Sequence, residues 1–123
     1  YETDKGEKVR SKSEVIIANL LNGYCDVLRY QYEKPLYLEN DGTEVMVHPD
    51  FTVYNLITGK IIYWEHAGMI DDTEYASDFV RKYNLYLANG FIPCDNLMIT
   101  FECQEKPLDI GNVKRIINKI AEG

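Results

Sequence analysis

No apolar run in the sequence approaches the roughly 18 to 20 residues needed to cross a bilayer as a helix. The opening stretch YETDKGEKVR also lacks the charged-then-apolar layout of a signal peptide. A cytoplasmic protein with no membrane partner is the expectation. Cysteine is sparse: Cys25, Cys94 and Cys103 are far apart, odd in number and form no C-x-x-C pair. Neither a disulfide framework nor a zinc site is expected, and the three read as core thiols of a reducing compartment. Positive charge is short as well, with 13 basic residues against 20 acidic ones and a net charge of −7. That balance has the wrong sign for a protein that holds nucleic acid by non-specific phosphate contacts.

Hydrophobic residues are plentiful, at 46% of the 123, and ten of the aromatics are tyrosine. Such a chain can build one packed core without staples, so residues 1–123 are expected to form a single domain. A start on tyrosine instead of methionine suggests a fragment of a longer protein. Ser11 with Glu14 three residues on is a capping box, opening a helix that runs to about Leu21. DVLRYQYEKPLYLE reads as a strand with an extended continuation broken at Pro35, NDG at 40–42 as a turn, and EVMVHPDFTVYN as the next strand. LITG is a hairpin loop and KIIYWEH the return strand. A second helix opens at DDTEYASDFV, with Asp71 and Glu74 in a capping arrangement, and runs to about Ala88, where Gly90 stops it. NLMITFE is a short buried strand. The last segment, about 109–121, places Ile110, Val113, Ile116, Ile117 and Ile120 on one face of an amphipathic helix.

YWEHAG, at 63–68, sets a carboxylate, Glu65, at the end of an apolar strand, where an ionised group needs a partner. With the hairpin loop centred between Ile57 and Thr58, Asp50 faces Glu65, Thr52 faces Tyr63 and Tyr54 faces Ile61. Two carboxylates then stand about 4.5 to 5.5 Å apart at Cβ and repel. A shared proton, a basic side chain or a cation would relieve them, and two oxygens from adjacent strands plus waters favour Mg2+ or Mn2+. A shifted register would instead send both acids to solvent. Glu14, at the edge of its helix's apolar face, fits two roles equally: a third acid leaning toward the sheet, or a capping residue alone.

HPDF at 48–51 followed by WEHAG at 64–68 resembles the PD-(D/E)xK nuclease superfamily, the restriction-endonuclease-like fold. Pro49 and Asp50 match its first half-motif, Glu65 matches the acid of the second, and Glu14 matches its additional N-terminal acid. The resemblance covers about residues 11–102. It implies an α+β (α/β) domain with an αβββαβ core, a mixed central sheet flanked by helices, and here a C-terminal helix in addition. The sequence departs from the motif at Ala67, where the family's lysine would stand. In such proteins the lysine can come from the following helix, and Lys82, within about 20° of Tyr75 on the helical wheel, is the candidate; its alternative role is a stem covering aromatic surface.

The resemblance implies metal-dependent phosphodiester hydrolysis. Glu14, Asp50, Glu65 and Lys82 would be catalytic, and Asp50, Glu65, the His66 carbonyl and Glu14 would hold Mg2+ or Mn2+. Nucleic acid is the implied partner, DNA ahead of RNA, with a homodimer or a fused binding domain making up for the acidic charge. Arg10 and Lys12, Arg81 and Lys82, and Lys114, Arg115 and Lys119 are the basic clusters, each equally readable as a solvated face. Strand alternation sends the His66 side chain away from Glu65. His48 reads as an edge histidine and Trp64 as core. Two rivals stand beside the nuclease: a degenerate domain of the same fold used for binding or scaffolding, and an unrelated α+β interaction domain.

Overall fold

The computed structural model describes residues 1–123. In chain order it contains α1 (Lys12–Asn22), β1 (Leu28–Tyr32), β2 (Leu36–Asn40), β3 (Thr43–Val47), β4 (Phe51–Asn55), β5 (Ile61–Ala67), α2 (Thr73–Ala88), β6 (Leu97–Phe101) and α3 (Ile110–Glu122). The protein is mixed α/β, with a four-stranded sheet ordered β1-β4-β5-β6 and a separate β2-β3 pair. β1, β4 and β5 are antiparallel neighbours, whereas β6 lies parallel to β5. A parallel neighbour needs a long crossover, and α2 provides it. With the β2-β3 pair set aside, the order is helix, three strands, helix, strand, helix.

The stretch expected as a strand with an extended continuation forms two strands, and the next, expected as one strand, also divides in two. β1 gives way to β2 across Pro35, and β3 to β4 across Pro49. Proline has no N–H to give to a ladder, so the chain leaves the sheet at one proline and returns at the other. Glu33, with φ 52°, makes the first bend. Asp41 and Gly42, both at positive φ, close the excursion as a two-residue hairpin turn.

Helix starts follow local chemistry. Ser11 Oγ accepts from the Glu14 N–H and caps α1. On α2 the cap is Asp72, one residue later than expected, with its side chain accepting from Tyr75 N at 2.9 Å. Asp71 accepts instead from the Gln104 N–H, tying the start of α2 to the loop after β6. Asn89 caps the end of α2, just ahead of Gly90, whose φ of 86° is the left-handed bend that ends the helix.

Alternation along the strands gives the sheet two unlike faces. Against one face, Ile17, Ala18 and Leu21 of α1 and Val113, Ile117 and Ile120 of α3 pack on Tyr30, Phe51, Val53, Ile62, Trp64 and Met98. Trp64 is wholly buried there, as expected. The other face receives α2, where Tyr86 meets Leu97 and Leu38 from β2. The cysteines are not core thiols: Cys25 and Cys94 are exposed and Cys103 is partly so. Cys25 lies in the turn after α1 and Cys94 in the link between α2 and β6, outside every helix and strand. No helix is long and apolar enough to cross a membrane.

Candidate functional site

The β4-β5 hairpin pairs Phe51 with Trp64, Thr52 with Tyr63, Val53 with Ile62 and Tyr54 with Ile61, the register expected from the sequence. Asn55 fixes its loop, its Oδ1 accepting from Ile57 N and Thr58 N. One step beyond the last pair, Asp50 comes beside Glu65 at the mouth of the hairpin. Asp50 Oδ2 accepts from the His66 N–H at 2.6 Å. The two acids therefore share one end of the sheet.

Glu65 is 4% exposed, and its partners come from α2. The Tyr86 hydroxyl donates to Glu65 Oε2 at 2.5 Å, and Lys82 Nζ lies 2.6 Å from the same oxygen. Tyr86 and Lys82 are four residues apart and so share a helix face, which is why both reach one carboxylate. Ala67 is completely buried, so a lysine at that position would overfill the packing. The ammonium beside Glu65 is that of Lys82 on α2.

Burial, and after it the neighbouring Glu65, pushes the Asp50 carboxyl up to about 8, against the pull of the His66 N–H and Lys82. Without a cation Asp50 holds a proton at neutral pH. Burial and the Glu65 charge likewise raise Tyr86, which keeps its proton and remains a donor.

Asp50 Oδ1 and Glu65 Oε1 take no hydrogen bond from the protein. Thr52 Oγ1 is the one fully buried side-chain polar atom without a partner. Two carboxylate oxygens without a protein donor suit a magnesium-sized ion, which binds through one or two carboxylates and keeps several waters. No third histidine, cysteine, aspartate or glutamate completes a cage of side chains.

Glu14 is engaged at the start of its helix. It accepts from Arg10 N at 3.1 Å, from Ser11 Oγ at 3.2 Å and from the Tyr32 hydroxyl at 3.3 Å. Its charge is still among the influences that raise Asp50. The His66 side chain turns away from Glu65, with Nδ1 2.8 Å from Thr100 Oγ1 and Nε2 2.7 Å from Glu102 Oε1. Ser13 also donates to Glu102. Burial works to raise Glu102, but the bonds from Ser13 and His66 outweigh it and hold the carboxyl below its usual range. The Tyr75 hydroxyl accepts from Gly68 N at 3.0 Å and lies 3.5 Å from the His66 carbonyl.

His48 lies apart, Nδ1 being 3.0 Å from the Glu33 carbonyl. Of the basic residues, Arg10 pairs with Glu33 and Arg81 with Asp78, so both are partly neutralised at home. Sequence reasoning missed Tyr86 as the partner of Glu65, and missed Glu102 and Thr100 as the partners of His66. The helical stripe Tyr75, Phe79, Tyr86 was the available signal for the first; the others come from β6, whose pairing with β5 leaves no local trace.

No family model matches the chain, and no solved structure matches it significantly. One relative, an uncharacterized protein of Methanocaldococcus jannaschii, is 36% identical over 90 residues, which are 72% of this chain. The match spans about 7% of that protein's length, so the chain is similar to one small part of a far longer polypeptide.

Proposed function

We propose that the protein is a metal-dependent nuclease of the PD-(D/E)xK, restriction-endonuclease-like kind, hydrolysing phosphodiester bonds of nucleic acid, with DNA the expected substrate. The observation that carries this reading is the meeting of Asp50, Glu65 and Lys82, with the lysine nitrogen 2.6 Å from Glu65 Oε2. The order of helices and strands outside the β2-β3 pair supports it. Asp50 Oδ1 and Glu65 Oε1 would hold Mg2+ or Mn2+, with the His66 carbonyl as a further ligand and Glu14 acting through water. Such an ion supplies a water of lowered pKa and positive charge toward the phosphate. The chain's own groups do the rest: Tyr86 and Lys82 fix Glu65 through Oε2, leaving Oε1 without a protein donor, and the His66 N–H fixes Asp50 through Oδ2. Lys82 faces the charge that builds on the phosphate in the transition state.

Thermal unfolding with and without manganese tests the site, followed by cleavage assays on single-stranded and duplex DNA and on RNA. Wild type should melt higher with manganese, because an ion that binds only the folded chain stabilises it; Glu65→Ala should not. Asp50→Ala and Glu65→Ala should remain folded and lose cleavage. An active Glu65→Ala protein would sink the proposal. Ala67 at the usual lysine position favours a second reading, a catalytically degenerate domain of this fold, which would show the manganese shift and cleave nothing.

A further inference from the structure

We propose that the sheet face beside α2 binds a single strand of nucleic acid, with Tyr54 as the base-stacking surface and Arg29 and Lys34 as phosphate contacts. This names the substrate class of the nuclease reading and rests on it. α2 covers the β5-β6 side of this face through Tyr86 and Leu97. The β1-β4 side keeps Arg29 and Gln31 exposed and Tyr54 half-exposed.

Register puts these groups together. Arg29 pairs with Tyr54 and Gln31 with Thr52, so all four project from one face of β1 and β4. Tyr54 is held in place from its hydroxyl, which accepts from Lys34 Nζ at 2.8 Å and donates to Gln31 Oε1 at 2.8 Å. Lys34 Nζ also lies 5.4 Å from the Tyr54 ring centroid. Neither Arg29 nor Lys34 forms an ion pair, unlike Lys5, Arg10, Lys60, Arg81 and Lys82. Two cations without an acidic partner therefore flank a pinned aromatic ring, Lys34 being hydrogen-bonded to its hydroxyl and Arg29 to the Leu28 carbonyl.

The same column of β4 leads from Tyr54 through Thr52 to Asp50, four residues or about 13 Å along the strand. A strand stacked at Tyr54 thus lies on the same sheet face as the acid pair, with the buried Thr52 between them. Charge chooses single strand over duplex. With a net charge of −7, the chain cannot gather enough phosphate contacts to hold a duplex by electrostatics alone. Base stacking adds attraction that does not depend on charge, and only unpaired bases offer their faces.

Fluorescence anisotropy of a labelled oligothymidine, at low salt with a chelator present, reads binding apart from cleavage. Tyr54→Ala should weaken binding about fivefold or more, whereas Tyr54→Phe, which keeps the ring but loses its bonds to Lys34 and Gln31, should weaken it less. Removing both cations, Arg29→Ala with Lys34→Ala, should lower the salt slope by about 1.4, at about 0.7 per phosphate contact for single strands. Unchanged melting temperatures would show that these surface variants fold. Wild-type affinity in Tyr54→Ala, an unchanged salt slope, equal or tighter binding of a duplex, or no binding by wild type would each overturn the proposal. Glu65→Gln separates the two readings, because it should bind the oligomer like wild type while losing cleavage. If manganese produces neither a melting shift nor cleavage but Tyr54-dependent binding persists, the nuclease reading fails and the binding strip stands. If cleavage occurs but is indifferent to Tyr54→Ala in both KM and kcat, the nuclease reading stands and the binding strip fails.

Discussion

Glu65 carries both its donors on one oxygen, and that asymmetry makes its energetics testable. Tyr86→Phe removes one buried donor and should cost about 1–3 kcal/mol in urea unfolding. Lys82→Met should cost more, about 3 kcal/mol or above, since it leaves a buried carboxylate without its counter-charge. Asp50 predicts a pH effect of definite sign. Its folded carboxyl is raised to about 8, while the unfolded group titrates at its ordinary value near 4. Between those values the folded state binds more protons, so metal-free stability should fall as pH rises from about 4 to 8, by an amount on the order of a few kcal/mol. Asp50→Asn should match the wild type at pH 4 and exceed it at pH 8; parallel stability profiles would show that Asp50 does not titrate in this way. The pairing of Asp50 with Glu65 was legible because a hairpin's loop fixes its register. Tyr86 and Lys82 were harder to read, because a helix wheel gives a face but not what that face meets.

The capping box that opens α1 has a double duty, since Ser11 Oγ accepts from the Glu14 N–H and donates back to the Glu14 carboxylate. Ser11→Ala should therefore lower stability by about 1 kcal/mol, read as a fall in melting temperature. It should also leave Glu14 with the Arg10 N–H and the Tyr32 hydroxyl. The helices were legible from such caps and from their apolar spacing. The division of β1 from β2 and of β3 from β4 was signalled only by Pro35 and Pro49, and a proline marks a break without saying where the chain goes next. The cysteines misled for a related reason: an isolated thiol in a turn carries no periodicity, so only tertiary structure decides its burial.

α3 supplies Val113, Ile117 and Ile120 to the core on the face opposite the acids. Burying each contributes about 1.5–3 kcal/mol, and a domain of this size is stable by only about 5–15 kcal/mol in total. A chain ending at Leu108 should therefore fail to fold cooperatively. Trp64, the single tryptophan and wholly buried, reports the outcome through its fluorescence. A blue-shifted emission and a sharp melt in the shortened chain would show that α3 is dispensable. α3 was the easiest element to read, because its apolar stripe repeats at helical spacing over its whole length. The joining of β6 to β5 was legible as a strand but not as a parallel neighbour.

That parallel join should separate the assembly of the site in time. The β4-β5 hairpin closes a short loop, so Asp50 and Glu65 meet through local contacts, whereas Lys82 and Tyr86 arrive only when the chain docks α2 on its way to β6. The repulsive half of the site should thus be the half that forms first. Protons or divalent ions in the refolding medium should act on the rate of hairpin closure, before the lysine is there to do the same work.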